Sequence, residues 1–304
     1  MIKNFLFAIA LLLAIPGCQP TVEDSTGKKN IVVTTGMLHD AVVNIVADKM
    51  EVQSLMGPGV DPHLYKATQG DLARLNKADL IIYNGLYLEG KMGEILEKLG
   101  RRKPVLAAAE KLTKEDLIFT ADFGSTNDPH VWFDVSLWMK VVQVISTEIQ
   151  QLDPSNATFY QQKAQAFLQQ LTGLHQEVTN AIAQIPEDQR VLVTAHDAFG
   201  YFGRAYQMEV RGLQGLSTAT DFGLRDIAEV TDLIIGKNLK AIFVETSVSD
   251  KAIKAVLTGC LEKGHEVKIG GYLYSDAMGD FGTIEGTYVG MVRKNVETIV
   301  AGLQ

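Results

Sequence analysis

The sequence of 304 residues holds only two cysteines, Cys18 and Cys260, so no disulfide framework can support it, and no cysteine pair has the close spacing of a thiolate zinc site. Any metal must therefore be held by histidine and carboxylate. Lys and Arg total 28 against 36 Asp and Glu, a formal net charge of −8, and nowhere do roughly five to eight basic residues cluster. A surface that binds a phosphate backbone has no source of positive charge, which argues against nucleic acid as a partner. No apolar run approaches the roughly 20 residues that cross a bilayer. The H-E-x-x-H, G-x-S-x-G and P-loop patterns are also missing. What is present is apolar material, 46% of the chain, enough for one or two packed domains and too much for a disordered one.

The first 18 residues, MIKNFLFAIALLLAIPGC, place Lys3 ahead of an uninterrupted apolar run of 11 residues, Phe5 to Ile15. This is the length of a signal-peptide core and too short for a membrane span. The run ends at Ile15-Pro16-Gly17-Cys18, which resembles the lipobox of bacterial lipoproteins, although Pro16 stands where a small residue is usual. The expectation is cleavage after residue 17, lipid on Cys18, and a polar tether over residues 18–29. That places the protein outside the cytoplasm, held to a bacterial membrane.

From Asn30 onward, short and almost wholly apolar runs alternate with helix-period segments, as in strands buried on both faces. Strands are expected at Ile31 to Thr35, Val52 to Met56, Leu80 to Asn84 and Val105 to Ala108, with helices at 37–49, 68–77 and 89–100. The pattern repeats with strands at Val191 to Ala195, Glu209 to Leu213, Ala241 to Glu245 and Val267 to Tyr274. Helices are expected at 198–206, 222–238, 250–263 and 287–303. Between the halves, Tyr160, Ala164, Phe167, Leu171, Leu174, Val178, Ala181 and Ile185 follow a heptad, Asp153-Pro154 opens the segment and Pro186 ends it. The fold class is α/β: two lobes, residues 30–154 and 186–304, each a parallel-type sheet flanked by helices, joined by one long backbone helix over 155–185. With Ala at two seam positions and glutamine-rich flanks, the heptad favours packing on its own lobes over dimerisation, so a monomer is expected.

Six histidines are present. His39 sits in the opening turn of a helix, His175 within the long helix and His265 in a turn, all ordinary structural positions. His63, His130 and His196 instead stand at or beyond the ends of buried strands, where α/β folds place ligands. His63 and His130 share the tripeptide Asp-Pro-His, Asp61-Pro62-His63 and Asp128-Pro129-His130, in which proline stiffens the loop that presents the imidazole. His196 ends the strand of VLVTAHDAF, and Asp276 ends that of GYLYSDAMGD. Three imidazoles and one carboxylate, two from each lobe, have the count of a closed four-coordinate metal site.

The stretches TTGMLHDAV, GPGVDPHLYKATQGDL, ADLIIYNGLYLEGKM, DPHVWFDV, VLVTAHDAFGYFGRAY, GLQG and SDAMG resemble the substrate-binding proteins of bacterial zinc and manganese ABC importers, the cluster that includes a treponemal metal-binding lipoprotein. The likeness runs from Asn30 to the C-terminus, and no single motif carries it. It implies two α/β lobes on one linking helix, metal cargo in the cleft, and delivery to a membrane permease driven by a cytoplasmic ATPase. It also implies that His63, His130, His196 and Asp276 are the ligands. Two departures stand out. Zinc-dedicated members often carry a histidine-rich loop before the second ligand, whereas Thr120 to Asn127 has no histidine; manganese-dedicated members often have glutamate where this chain has His196. Three imidazoles favour zinc, although availability as well as affinity selects the cargo.

A zinc hydrolase using the same four residues is the alternative from another class. It needs an open coordination position and a general base, for which Asp197 and Glu245 are candidates, although Asp197 is better placed to orient His196. A surface adhesin with an incidental metal is a third reading, and nothing in the sequence specifies a host ligand.

Overall fold

The computed structural model describes residues 27–120, 126–220 and 222–304. The expected signal peptide, the expected lipid site Cys18 and nearly all of the expected tether lie outside the described residues. In the N-terminal lobe, β1 (Asn30–Val33), β2 (Glu51–Ser54), β3 (Leu80–Tyr83) and β4 (Val105–Ala107) form a parallel sheet in the order β2-β1-β3-β4. Helices α1 (Gly36–Val46), α2 (Gln69–Lys77) and α3 (Gly93–Gly100) connect the strands, and two short strands, β5 (Phe119–Thr120) and β6 (Thr126–Asn127), follow and pair antiparallel. Two helices, α4 (Val135–Leu152) and α5 (Ala157–Ile182), lead into the C-terminal lobe. There β7 (Val191–His196) pairs in parallel with β8 (Glu209–Gln214), and β9 (Ala241–Glu245) with β10 (Lys268–Leu273); β7 lies beside β9. Helices α6 (Gly200–Tyr206), α7 (Leu224–Gly236) and α8 (Lys251–Glu262) connect these strands, and α9 (Tyr288–Leu303) closes the chain.

Period-two burial in the strands sorts the apolar residues into layers. Ile31 and Val33 of β1 face one side with Leu80 and Ile82 of β3, whereas Val32 and Ile81 pack on the other with Leu75 and Leu96. In the second lobe Ala241 and Phe243 of β9 face the first of these cores, and Ile242 and Val244 face a separate outer core with Val193 and Ile253. The inner core is thus continuous from Ile31 to Leu303: it runs through α1, α4, α5 and α9 and takes side chains from both lobes. Phe133 of the first lobe stacks on Phe199 of the second with ring centroids 4.2 Å apart.

The long helix differs from expectation in length and in its last turn. A 3-10 turn, Pro154–Asn156, precedes α5, so the α-helix covers 26 residues, about 39 Å. Tyr160, Ala164, Phe167, Leu171, Leu174 and Val178 are buried as the heptad requires, but the stripe then moves to Ile182, leaving Ala181 at its edge. A straight helix has 3.6 residues per turn and drifts from a strict 3.5 repeat by about 20° per heptad, so after three heptads the buried face has advanced by one residue. The stripe packs on the chain's own α1, α4 and α9.

Helix α4 was absent from the sequence expectation, and it is the longest element after α5. Its β-branched residues, Val135, Val141, Val142, Val144, Ile145, Thr147 and Ile149, lower intrinsic helix propensity. Tertiary burial overrides them: Val135, Leu137, Trp138, Val141, Val142, Ile145 and Ile149 form one inner stripe. Asp134 caps the helix, accepting hydrogen bonds from Ser136 N–H (2.9 Å) and Leu137 N–H (3.3 Å).

Two substitutions two residues apart in α5 test this packing in opposite directions. Leu171 is fully buried in the shared core, so Leu171→Ala is expected to cost about 2–5 kcal/mol. Gly173 is exposed, and a Cβ there meets nothing within 4 Å, so Gly173→Ala is expected to stabilise by up to about 1 kcal/mol. Because one core serves both lobes, thermal unfolding should show a single transition that shifts down in the first variant and up in the second. Two separated transitions, with only one responding, would contradict the shared core.

Candidate metal centre

All four residues singled out in the sequence are buried and converge at the junction of the lobes, each offering one ligand atom, with these atoms within 4.8 Å of one another. Each arrives by a different local device. Within each Asp-Pro-His tripeptide the aspartate accepts the histidine's own backbone N–H, Asp61 Oδ1 from His63 (2.8 Å) and Asp128 Oδ1 from His130 (2.9 Å), which tightens the loop into an Asx turn. His196 is the last residue of β7. Its backbone is approached closely by β8 at Gly212, where an added Cβ would collide with Asp197 N and the His196 carbonyl carbon. Asp276 stands three residues beyond the end of β10.

The separations between the donor atoms are specific. His63 Nε2 lies 3.4 Å from His130 Nε2 and 3.6 Å from Asp276 Oδ2. His130 Nε2 lies 3.4 Å from Asp276 Oδ1, and His196 Nε2 3.3 Å from Asp276 Oδ2. In a tetrahedron the edge is about 1.63 times the centre-to-corner distance. Metal bonds of roughly 2.0–2.2 Å to nitrogen and oxygen therefore require edges of roughly 3.3–3.6 Å. The His63–His130 separation and the three from the imidazoles to one or other oxygen of Asp276 fall in that range, and all four ligand atoms lie within 4.8 Å of one another.

The groups behind the donors fix which ring nitrogen faces the centre. Asp128 Oδ1 sits 2.7 Å from His130 Nδ1, and Glu245 Oε2 sits 2.5 Å from His196 Nδ1, off the line of a good hydrogen bond. The other Glu245 oxygen accepts the His196 backbone N–H at 2.9 Å. Both imidazoles are thereby turned with Nε2 inward. Asp61 is used differently: its second oxygen accepts from the Thr218 hydroxyl at 2.6 Å, tying the loop of His63 to the other lobe. The orienting carboxylate behind His196 is thus Glu245, not Asp197. Asp197 anchors the strand end through its backbone N–H, which donates to Gln214 O at 3.1 Å.

Electrostatically the cluster is incomplete without a cation. Among the described residues, seven buried side-chain nitrogen and oxygen atoms have no hydrogen-bond partner, and five of them belong to His196, Glu245 and Asp276. Both oxygens of Asp276 are in this set, and leaving buried polar atoms unpaired is costly unless something else satisfies them. Burial pushes the His63 imidazole down to about 3, helped by the neighbouring imidazoles and opposed by Asp276. Burial also acts to lower His130, but Asp128 and Asp276 outweigh it and hold that group at about 9. His196 is raised well above the usual imidazole range because Glu245 and Asp276 overcome its burial. Asp276, though burial favours its neutral form, is held well below the usual carboxylate range by the surrounding imidazoles. In the metal-free centre the neighbouring carboxylates thus favour the cationic form of His130 and His196, burial favours the neutral form of His63, and the imidazoles favour the anionic form of Asp276.

The remaining histidines lie elsewhere. His39 packs edge-on against Phe281, His175 Nδ1 is 3.1 Å from the Tyr206 hydroxyl, and His265 Nε2 is 2.8 Å from Leu239 O. The sequence reading missed the part played by Asp128, whose signal was its place two residues before His130 in the repeated tripeptide. It weighed Glu245 only as a general base, because its contact with His196 spans 49 residues and depends on β7 lying beside β9.

Known proteins carry the same architecture. The family described as "ZnuA: Zinc-uptake complex component A periplasmic" matches residues 31–302. The manganese-binding lipoprotein MntA of Bacillus subtilis is 50% identical over 296 residues, covering 96% of this chain and 95% of the relative. The zinc-binding protein TroA of Treponema pallidum is 48% identical over 277 residues, covering 91% of this chain and 89% of the relative. The solved structure of the periplasmic zinc-binding protein TroA from Treponema pallidum superposes with a TM-score of 0.88 over 91% of this chain and 99% of that one. With the match spanning both lobes and the linking helix, this chain belongs to the ZnuA family of metal-binding substrate-binding proteins of ABC transporters.

Proposed function

We propose that this protein is an extracytoplasmic lipoprotein that captures a divalent transition metal, zinc or manganese, between its two lobes and delivers it to an ABC permease driven by a cytoplasmic ATPase. His63, His130, His196 and Asp276 hold the cargo, and the protein performs no chemistry on it. Residues 1–17 act as the export signal, Cys18 carries the lipid and residues 18–29 form the tether. The lobes are residues 30–154 and 186–304, linked by 155–185, and the protein works as a monomer. The observation that carries this reading is the convergence of three imidazoles and one carboxylate, all buried, whose ligand atoms lie within 4.8 Å of one another.

The site supports transport cargo better than hydrolysis. Glu245, one candidate base, is engaged with the backbone and ring of His196. A closed four-donor set also leaves no open position for a nucleophilic water. The relatives named for manganese and for zinc are almost equally similar, so the donors themselves must argue the preference. Three imidazoles with one carboxylate favour zinc in affinity, while supply outside the cell decides which ion is carried.

Purified protein stripped with chelator and reloaded is expected to bind one ion per chain. His63→Ala and Asp276→Ala should each weaken zinc binding by about 100-fold or more, since each leaves the ion under-coordinated. Stoichiometric binding that survives both substitutions would overturn the ligand assignment.

Binding must also displace protons. His130 and His196 are held protonated in the empty centre, and each must be neutral to donate, so metal competes with protons there. Lowering the pH favours the protonated, metal-free form, so affinity falls on acidification. Calorimetry in buffers of different ionisation enthalpy should record about one to two protons released per ion at neutral pH, and affinity should drop between about pH 7.5 and about pH 5. Affinity constant over that range would contradict a three-imidazole site.

His196→Glu exchanges a nitrogen donor for an anionic oxygen, which suits the harder manganese ion. The ratio of zinc to manganese affinity should fall in paired titrations, even if zinc remains the tighter ligand. A ratio that stays the same or rises would place the preference in the shape of the cleft instead.

A further inference from the structure

Trp132 lies two residues after His130 and is fully buried where the lobes meet. Its ring sits edge-on to the His130 imidazole, with centroids 5.2 Å apart. Its indole Nε1–H donates to the Ser275 carbonyl at 3.1 Å, across 143 residues of sequence, and Ser275 immediately precedes Asp276. Its own carbonyl accepts the Tyr288 hydroxyl at 2.7 Å. Ser275 and Tyr288 flank the segment 276–287, so one residue of the first lobe holds both ends of the loop that carries Asp276.

That loop is tied within itself. Gly279 N–H donates to Glu285 O (2.9 Å), Thr283 N–H to Asp280 O (3.1 Å) and Thr287 N–H to Ile284 O (3.1 Å). A self-bonded loop moves as a unit, so its position relative to His130 is set by its attachments. One attachment is internal to the second lobe: the Asn295 side chain bonds both the N–H and the carbonyl of Tyr274. Another is Asp40 Oδ2, which accepts the Tyr288 N–H at 3.2 Å. Trp132 touches His130 by its ring and, across the cleft, the residue adjoining Asp276 by its indole nitrogen.

We propose that Trp132 is a positioning residue that fixes the separation of His130 and Asp276 across the cleft and thereby favours a small tetrahedral ion over a larger one. The inference rests on the reading of His130 and Asp276 as ligands. With the indole bond in place, Asp276 is held where its oxygens lie 3.3–3.6 Å from the imidazole nitrogens, the spacing for short bonds. Without it, the loop is free to carry Asp276 away from His130, which widens a site whose two carboxylate oxygens already face the imidazoles and suits a larger ion of higher coordination number.

The chain's other tryptophan supplies the control. Trp138 is equally buried and stacks on Tyr288, but its Nε1 has no hydrogen-bond partner. Zinc and manganese affinities of wild type, Trp132→Phe and Trp138→Phe should be measured by competition with a chelator, alongside thermal unfolding. Trp132→Phe is expected to weaken zinc binding by about 10-fold or more, manganese binding by less, and so to lower the affinity ratio. Trp138→Phe is expected to change the melting temperature and leave the ratio alone. If Trp132→Phe does not fold, Tyr288→Phe removes the second bond to the same residue and should lower the ratio in the same direction. A wild-type ratio in whichever of these two variants folds, or an equal fall in Trp138→Phe, would overturn the role of Trp132. Absence of metal binding by the wild type would instead overturn the ligand reading beneath it.

Discussion

The buried carboxylate of Asp276 is the constraint around which the centre is built. It is 2 % exposed, neither oxygen has a hydrogen-bond partner, and three imidazoles from separate segments surround it. An anion in such a place is tolerable only with positive charge close by. The cationic forms of His130 and His196, which the neighbouring carboxylates favour, would supply that charge in an empty centre, and on the proposed reading a dication would supply it in a filled one. Two further carboxylates, Asp128 and Glu245, stand behind those imidazoles and keep the surroundings attractive to cations in either state. Exchange of protons for metal therefore leaves the buried charge nearly balanced, which lets one structure accommodate both forms.

The same junction limits how the lobes can move. Many hinged binding proteins open about flexible strands, but here the connection is a 26-residue helix whose buried stripe belongs to a core shared by both lobes. Phe133 stacks on Phe199, Tyr201 donates from its hydroxyl to Asp128 O at 2.8 Å, and Trp132 reaches Ser275, so aromatic side chains bridge the cleft close to the candidate ligands. Wide opening would expose these apolar faces to water at about 25 cal/mol per Å². Local movement of the ligand-bearing loops, or a slight tilt of one lobe, costs far less.

Much of this was legible in the sequence, for identifiable reasons. All eight long strands lie within two residues of their expected positions, because strands buried on both faces are short apolar runs bounded by turn residues. The three histidines stood out because each is at the end of a buried strand or behind a proline in a repeated tripeptide, and Asp276 because it closes a strand segment of the second lobe; the family resemblance is what joined the four into one candidate ligand set. Helix α4 was not legible, since its valines and isoleucines mimic strand composition and only the tertiary stripe reveals the period. The drift of the buried face from Ala181 to Ile182 is a geometric property of the α-helix that a heptad reading ignores. Glu245 behind His196 and Ser275 beneath Trp132 are contacts across 49 and 143 residues, and they exist only once the strands are set side by side and the lobes closed.

The central claim is that these four side chains form one tetrahedral cage for a transition-metal ion. Anomalous diffraction at the zinc and manganese absorption edges, from crystals of the loaded protein, tests it most directly. The expected result is a single strong peak about 2.0–2.2 Å from His63 Nε2, His130 Nε2, His196 Nε2 and an Asp276 oxygen. A peak elsewhere, or an ion held by a different set of side chains, would contradict it.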